Sequence, residues 1–434
     1  MGNRCLNKFV TRNHACALCT QFSVALRPAF CRVTAQRPNF SIYYRGFQIS
    51  AIIARPLLQN RHDAKDIRTA QCPALSFVRQ VTQINRQNPT FRLTPRIFHM
   101  SINGEKTLMI SVMRNEGPYV LEWLAHHFAL GIDDLLIFSN DCSDNTDRIL
   151  DRLEVMMPHK VKHQPNPKVM FPDRGKWHIM ALRYAGQFGR CQAADWLYVT
   201  DADEFLNLKR GVSDLDGFFE ATGPADAVSF TSIAFNSNGH TKMSPDLVTR
   251  RFTQTATDLA AAKKENRTVL TAVKTLYRNT IQGPRRPHRP VTPDFSTTGM
   301  TWIDGAGGRL PAGFTDSGSK GIASNGTRTY AQVNHYSIKS KEEFLLKVDR
   351  GDAVNAERLG QSKRYWDTAN RIGNTDKTGS KLSPKARGLL DEFLADSQLR
   401  ELHEESYSLR ETMLQDVLSS KRGEAVAQQI GYFD

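Results

Sequence analysis

Nowhere in its 434 residues does the sequence run to the about 18 to 20 consecutive apolar residues that a membrane-spanning helix needs. The body of the chain therefore reads as soluble. Cysteine is scarce and odd in number, at seven, which argues against a disulfide framework. Five of the seven (Cys5, Cys16, Cys19, Cys31 and Cys72) precede residue 97, leaving only Cys142 and Cys191. Cys16 and Cys19 form a C-x-x-C, but zinc requires a second well-spaced ligand pair, and His14 with Cys31 only loosely resembles one. Acid is almost absent from the same stretch: residues 1–96 hold fifteen Lys and Arg against Asp63 and Asp66. Nearly all of the formal charge of +14 thus sits there, and the other 338 residues are close to neutral.

That asymmetry confines any nucleic-acid or anionic-lipid reading to the N-terminal segment, which shows no stacking pattern of aromatics. Residues 15–26 are mildly apolar but polar-interrupted, a weak secretory signal, and an Arg-rich, acid-poor leader also suits an organelle transit peptide. Met100 precedes the first clean strand and would serve as an alternative start. We read residues 1–104 as a basic, disordered extension outside catalysis.

From residue 105 the pattern changes. The apolar run 107–113 predicts a strand, and residues 118–130 a helix with Pro in its first turn and Gly131 after its end. A short strand over 135–138 leads through SNDCSDNT into a helix over 146–155, whose Ile149, Leu150 and Leu153 share a face. Strand 161–163, helix 176–188 and strand 196–200 continue the alternation, which implies βαβ units and a mainly parallel sheet. In such sheets ligands lie at the carboxyl ends of strands, so the loops after residues 113, 138 and 200 should share one rim.

Further strands are predicted over 227–235, 269–277 and 329–336. Residues 281–326 carry little periodicity and read as a lid or acceptor-binding region. A helix follows from residue 340. From residue 383 the tail is helical, with Leu399, Leu402, Leu409, Met413 and Val417 at near-helical spacing.

The sharpest chemical feature is DWLYVTDADEF, in which an apolar strand delivers Asp201, Asp203 and Glu204 to its carboxyl end. Two aspartates at i and i+2 present oxygens to a hard divalent ion, Mn²⁺ or Mg²⁺, which can bridge the phosphates of a nucleotide diphosphate. A second pair, Asp214 and Asp216, stands where a helix begins, and N-capping explains it.

The stretches MRNEGPYVLEWLAHHFALG, SNDCSDNT, TDADEF, FNSNGH and NHYSIKSKEEFLLKVDRG occur in one order over residues 113–351. Together they resemble the bacterial family 2-like glycosyltransferases of GT-A fold. The resemblance implies a GT-A-like (Rossmann-like) α/β fold, a mainly parallel sheet flanked by helices with a helical C-terminal region. Its catalytic domain would span 105–352 and its helical region 353–434. It implies a nucleotide-sugar donor, a divalent metal (Mn²⁺ or Mg²⁺) and a hydroxyl acceptor in glycan, lipid-linked or protein form, in glycan or polysaccharide biosynthesis, with no nucleic acid expected. A cytoplasmic place fits such a protein, with peripheral membrane association and oligomeric state left open.

Carried over residue by residue, Arg114, Asn115 and Glu116 follow the first strand where such enzymes hold the nucleotide. Asp141 matches the position that reads the base edge, although capping of the next helix explains it equally. Lys176, near Arg174, matches the basic position beside the diphosphate. His335, after the late strand, would join Asp201 and Asp203 on the metal, with Lys339 and Arg350 adding positive charge nearby. An inverting transfer needs a carboxylate to deprotonate the acceptor; Asp294, Asp304 and Glu204 are candidates, and Asp304 is the choice, although an Asp before Gly also suits a turn.

Two other classes stay open at this stage. One is a non-catalytic protein binding nucleic acid or anionic lipid through the basic arm. The other is a nucleotidyltransferase, disfavoured because residues 113–117 hold one glycine where such enzymes open with a Gly-rich phosphate loop.

Overall fold

The computed structural model describes residues 33–36, 39–44, 47–52, 102, 104–171, 173, 175–257, 272–317, 327–350 and 362–434. Met100, the C-x-x-C and Arg174 lie outside the described residues, as do 258–271 and 318–326. The chain divides into two compact units, residues 1–96 and 97–434. In the first, β1 (Val33–Gln36), β2 (Asn39–Tyr44) and β3 (Phe47–Ile52) pair as an antiparallel meander, where the sequence reading had placed no strands.

The second unit is an α/β fold around a nine-stranded sheet. Its strands are β4 (Thr107–Met113), β5 (Asp134–Ser139), β6 (Val161–Pro165), β7 (Trp196–Val199), β8 (Glu204–Leu208), β9 (Ala227–Ala234), β10 (Val273–Arg278), β11 (Trp302–Asp304) and β12 (Ala331–His335). They lie in the order β6-β5-β4-β7-β10-β9-β12-β8, with β11 beside the first half of β9. All run in one direction except β8 and β10, which are reversed. Every residue of β4 and β5 is buried, as expected of central parallel strands covered on both faces. The register Met113↔Ser139 and Ile110↔Val199 brings the carboxyl ends of β4, β5 and β7 to one rim, as the alternation predicted.

Helix α1 (Gly117–Ala129) starts with Pro118 in its first turn, and Gly131 follows its end at φ 103°, a conformation that costs glycine nothing. All but one of its residues are buried, because it is sandwiched between the sheet and the C-terminal helices. Its Glu122 carboxylate is satisfied at the start of the short helix Val248–Arg251, accepting from the Val248 and Thr249 amides and the Thr249 hydroxyl. Helix α2 (Thr146–Met156) buries Ile149, Leu150 and Leu153, the face read from sequence. On the opposite side of the sheet, α3 (Trp177–Ala185) packs Ala181, Leu182 and Ala185 against Leu108, Ile110 and Leu136. It stops three residues short of the expected end, and a separate turn of helix begins at Gly189. Helix α4 (Leu215–Thr222) is capped by Asp214, whose carboxylate accepts from the Gly217 amide at 2.9 Å, so the second aspartate pair has the structural role expected of it.

Late in the chain, α5 (Lys341–Arg350), α6 (Ser362–Ala369), α7 (Pro384–Ala395), α8 (Ser397–Ser419) and α9 (Lys421–Gln429) form the helical C-terminal region. Its tail packs onto the sheet unit: Leu390, Phe393, Leu399 and Leu402 join the core that holds α1. The inward stripe of α8 differs from the expected one. Leu399, Leu402, Ser406, Arg410, Leu414 and Val417 are buried, whereas Leu409 and Met413 are half-buried. The polar members face inward because this part of α8 covers loops at the strand ends, not apolar sheet. Among the described residues, no helix is long and apolar enough to cross a membrane.

Candidate active site

The rim is built by direction reversal. Strand β7 ends at Val199, the chain turns through Thr200 to Asp203, and the reversed β8 begins at Glu204. Because β10 is also reversed, its second residue, Lys274, stands just past the carboxyl end of β7 and opposite Phe230 of β9. His335 closes β12 and pairs in register with Glu204. Five chemistry-bearing side chains from three strands and one loop thus meet at one edge of the sheet.

Asp201 is held from both sides. Its Oδ1 lies 2.9 Å from His178 Nε2, which α3 supplies, and its Oδ2 accepts from Lys274 Nζ at 2.7 Å. Lys274 also reaches Glu204 Oε2 at 2.7 Å, and its side chain is wholly shielded from solvent. Glu204 Oε2 in turn accepts from the Asp201 amide at 3.1 Å, which fixes the turn that carries the motif. Burial opposes ionisation of Asp201, yet Lys274 and then His178 outweigh it and hold the carboxyl well below the usual range. Burial pushes the Glu204 carboxyl up against the pull of the same lysine, and the two carboxylates together hold the Lys274 ammonium above its ordinary value despite burial.

Asp203 has its own cations. Lys347 from α5 donates to its Oδ2 at 2.9 Å and to the Ser337 carbonyl at 2.6 Å, while His335 Nε2 stands 3.4 Å from its Oδ1. Burial raises the Asp203 carboxyl, but Lys347 and His335 more than offset this and hold it well down. His335 is itself raised, burial notwithstanding, by Asp203. Lys339, at φ 53°, places its ammonium 4.4 Å from the centre of the Tyr119 ring and 3.9 Å from Glu116 Oε2.

The donor set of two carboxylates and one imidazole suits a hard divalent ion. Among the described residues, no group of three or more His, Cys, Asp or Glu side chains is placed to hold a metal ion by itself. Each carboxylate oxygen accepts more than one contact, so the lysine pairs leave lone pairs for such an ion.

The remaining sequence candidates separate into groups. Asn115 and Glu116 are buried: Asn115 Oδ1 accepts from the Ser143 amide at 2.8 Å, and the Glu116 amide donates to Thr146 Oγ1 at 2.7 Å. They lock the loop after β4 to the loop after β5. Arg114, beside them, is half-buried. Asp141, at φ 43°, is exposed on the β5 loop and lines a cleft with Ser139, His163 and Gln164. Lys176 is exposed as the last residue before α3, one residue from Trp177 and two from His178.

Asp304 stands apart. It pairs with Ser229, five residues along β9 from the Ala234↔His335 row, which is about 16 Å of strand. Its Oδ1 accepts from the Ala306 and Gly308 amides at 2.9 and 3.0 Å, and its Oδ2 accepts from the Thr327 hydroxyl. The carboxylate is spent on closing its own turn, and the structure does not bring it to the aspartate pair.

Sequence reasoning missed Lys274, His178, Lys347 and His288. Lys274 gave a signal, a lone lysine inside the apolar strand VKTLYR.

Residues 111–283 match the family model described as Glycosyltransferase family 92. A family 92 glycosyltransferase protein of Ricinus communis is 24% identical over 141 residues, which cover 32% of this chain and 24% of that one. The match therefore spans about a quarter of the length of that relative. Among solved structures, mannosyl-3-phosphoglycerate synthase from Rubrobacter xylanophilus is similar at 15% identity over 41% of this chain and 54% of its own, with a TM-score of 0.24, too low to carry an argument. The sequence matches support a glycosyltransferase, and they name family 92 where the motif resemblance pointed to family 2. The matched interval holds Arg114 through Lys274 and leaves out Asp304 and His335.

Proposed function

We propose that this chain moves a sugar from a nucleotide-sugar donor to a hydroxyl-bearing acceptor, with the donor diphosphate seated at the Asp201–Asp203 rim. The observation that carries this reading is the pairing of carboxylates and ammonium groups at one edge of a parallel sheet. Asp201, Asp203 and His335 provide donors for a divalent cation, and Lys339 and Lys347 provide charge for phosphate oxygens.

In this reading Asp203 and His335 hold the ion and Asp201 shares in it. When bound, a divalent ion neutralises charge developing on the departing diphosphate. The chain's own residues do the rest. Lys274 and His178 keep Asp201 ionised and aimed. Lys347, whose ammonium reaches Asp203 from α5, can turn toward phosphate, as a point charge on a flexible stem does. Arg114, Asp141 and Lys176 border the space next to this rim on the β4, β5 and α3 sides, where the nucleotide would extend.

The test is nucleotide release from a panel of UDP-, GDP- and dTDP-sugars with Mn²⁺, with Mg²⁺ and with chelator, beside Asp203→Ala. Metal-dependent release that the variant loses is the expected result. Folded protein that neither binds nor turns over any donor would remove the reading.

A further inference from the structure

Transfer needs a group to receive the acceptor's proton, and the carboxylates around the rim are engaged elsewhere. Glu204 is held by Lys274 and the Asp201 amide, and Asp304 closes its own turn. Glu343 is clamped by Arg251, the Tyr119 hydroxyl and the Ser340 amide.

One further group lies beside the rim, at the start of β10 next to Lys274. The loop after β10 folds back along α3, where Arg285 passes Gly186, and returns to the start of β10. There His288 Nδ1 stands 3.2 Å from the Val273 carbonyl. A carbonyl only accepts, so Nδ1 carries the hydrogen and Nε2 is left with its lone pair. Nε2 has no hydrogen-bond partner among the described residues, and the ring lies within electrostatic reach of Lys274, Asp201 and His335.

The loop is braced as a catalytic placement requires. Pro284, Pro287 and Pro290 restrict its backbone, and the Val291 amide closes it onto the Pro284 carbonyl at 3.3 Å. Arg289, almost fully buried against Trp302 and Phe314, donates to the carbonyls of Phe314, Thr315 and Ser317. His288 therefore sits between a rigid proline and an anchored arginine.

We propose that His288 is the base of the transfer, an inference that rests on the glycosyltransferase reading above. As the acceptor oxygen forms its bond to the anomeric carbon, the bond from that carbon to the phosphate oxygen breaks. The electron pair leaves with the nucleoside diphosphate, and the hydroxyl proton passes to Nε2 of His288. Burial, and next the Lys274 charge, push the imidazole down to about 4, so it is neutral and able to accept a proton at pH 7. That is the basicity of an ordinary carboxylate.

The experiment compares wild type, His288→Ala and His288→Gln in the donor panel with water as acceptor. Nucleoside diphosphate binding is measured alongside by calorimetry, and each variant's melting temperature is recorded. Turnover should fall by about 10²- to 10³-fold in both variants. Nucleotide binding should stay within about threefold, and free imidazole should restore part of the Ala variant's turnover, because a positioned base contributes to the transition state and not to ground-state binding. Turnover near wild type, a loss matched by lost nucleotide binding, or a loss that imidazole does not relieve overturns the assignment. Wild-type protein inert toward every donor would remove the reaction, and the base with it, which is a distinct result from active wild type with unaffected variants.

Discussion

Lys274 Nζ lies 2.7 Å from Asp201 Oδ2 on a side chain with no solvent exposure. A buried ammonium shared by two carboxylates cannot be removed without leaving both uncompensated. Lys274→Met should therefore cost about 3 to 5 kcal/mol of stability, read as a lower denaturation midpoint at unchanged slope. A midpoint equal to wild type would mean that the two acids relax or neutralise without the lysine.

The two D-x-D pairs should separate by assay. Asp214→Ala removes an N-cap and should cost about 1 kcal/mol while leaving nucleotide release untouched. Asp203→Asn should lose release, and its melting temperature should also fall because Lys347 and His335 lose their counter-charge. Equal effects on release from both variants would refute the division of roles drawn here.

His127 is fully buried with both ring nitrogens matched: Nδ1 meets the Trp123 carbonyl at 2.9 Å, and Nε2 meets the Leu206 amide at 3.5 Å. The carbonyl takes a hydrogen and the amide gives one, so only the neutral tautomer satisfies both. Burial, and next His126, hold this imidazole well below its ordinary value. Below about pH 6.5 the unfolded chain then binds a proton that the folded chain refuses, and stability falls as pH drops, by up to about 1.4 kcal/mol per unit. Urea midpoints at pH 7, 6 and 5 should decline for wild type and decline less for His127→Gln. Parallel lines would rule His127 out as the source.

At Gly117 an added Cβ would press on the Asp144 carbonyl and come within 2.9 Å of Ser406 Cβ, so three segments meet where only a hydrogen fits. Gly117→Ala should push the β4 and β5 loops apart and shift α8. We expect a loss of about 1 to 3 kcal/mol and faster amide exchange in α8. Unchanged exchange there would show that the contact is not shared with the helix.

Elements with a strong local signal were legible in the sequence. Pro118, Gly131 and the apolar run between them specify α1, and the buried run ending in TDAD specifies the strand that presents the aspartates. Reversed strands were harder. Glu204 and Phe205 read as the end of the motif with no strand expected after them, and only pairing with β12 makes 204–208 β8. Lys274 stands out only as a lone lysine in a predicted strand, and the sheet order is what turns it toward Asp201, 73 residues earlier in the chain. Asp304 is the sequence-based choice of base for its place in the irregular region, yet the Ala306 and Gly308 amides engage its carboxylate, the turn that an Asp before Gly also suits. The groups that meet the two aspartates come from positions 178, 274, 335 and 347, so their convergence is set by the sheet order and not by local sequence.

Arg410 of α8, itself buried, donates to the Asn115 carbonyl at 2.7 Å and approaches Asp144 at 3.5 Å, which ties the loops after β4 and β5 to a helix nearly 300 residues later. During synthesis those loops emerge early and wait. Until residues 397–419 have left the ribosome, Gly117 and Asp144 lack their cover, and the ordering of the first two βα loops is deferred to a late, long-range docking step. A stalled or nicked chain missing α8 would keep most of its sheet residues and still lack a finished rim, with the first two βα loops left open to proteases.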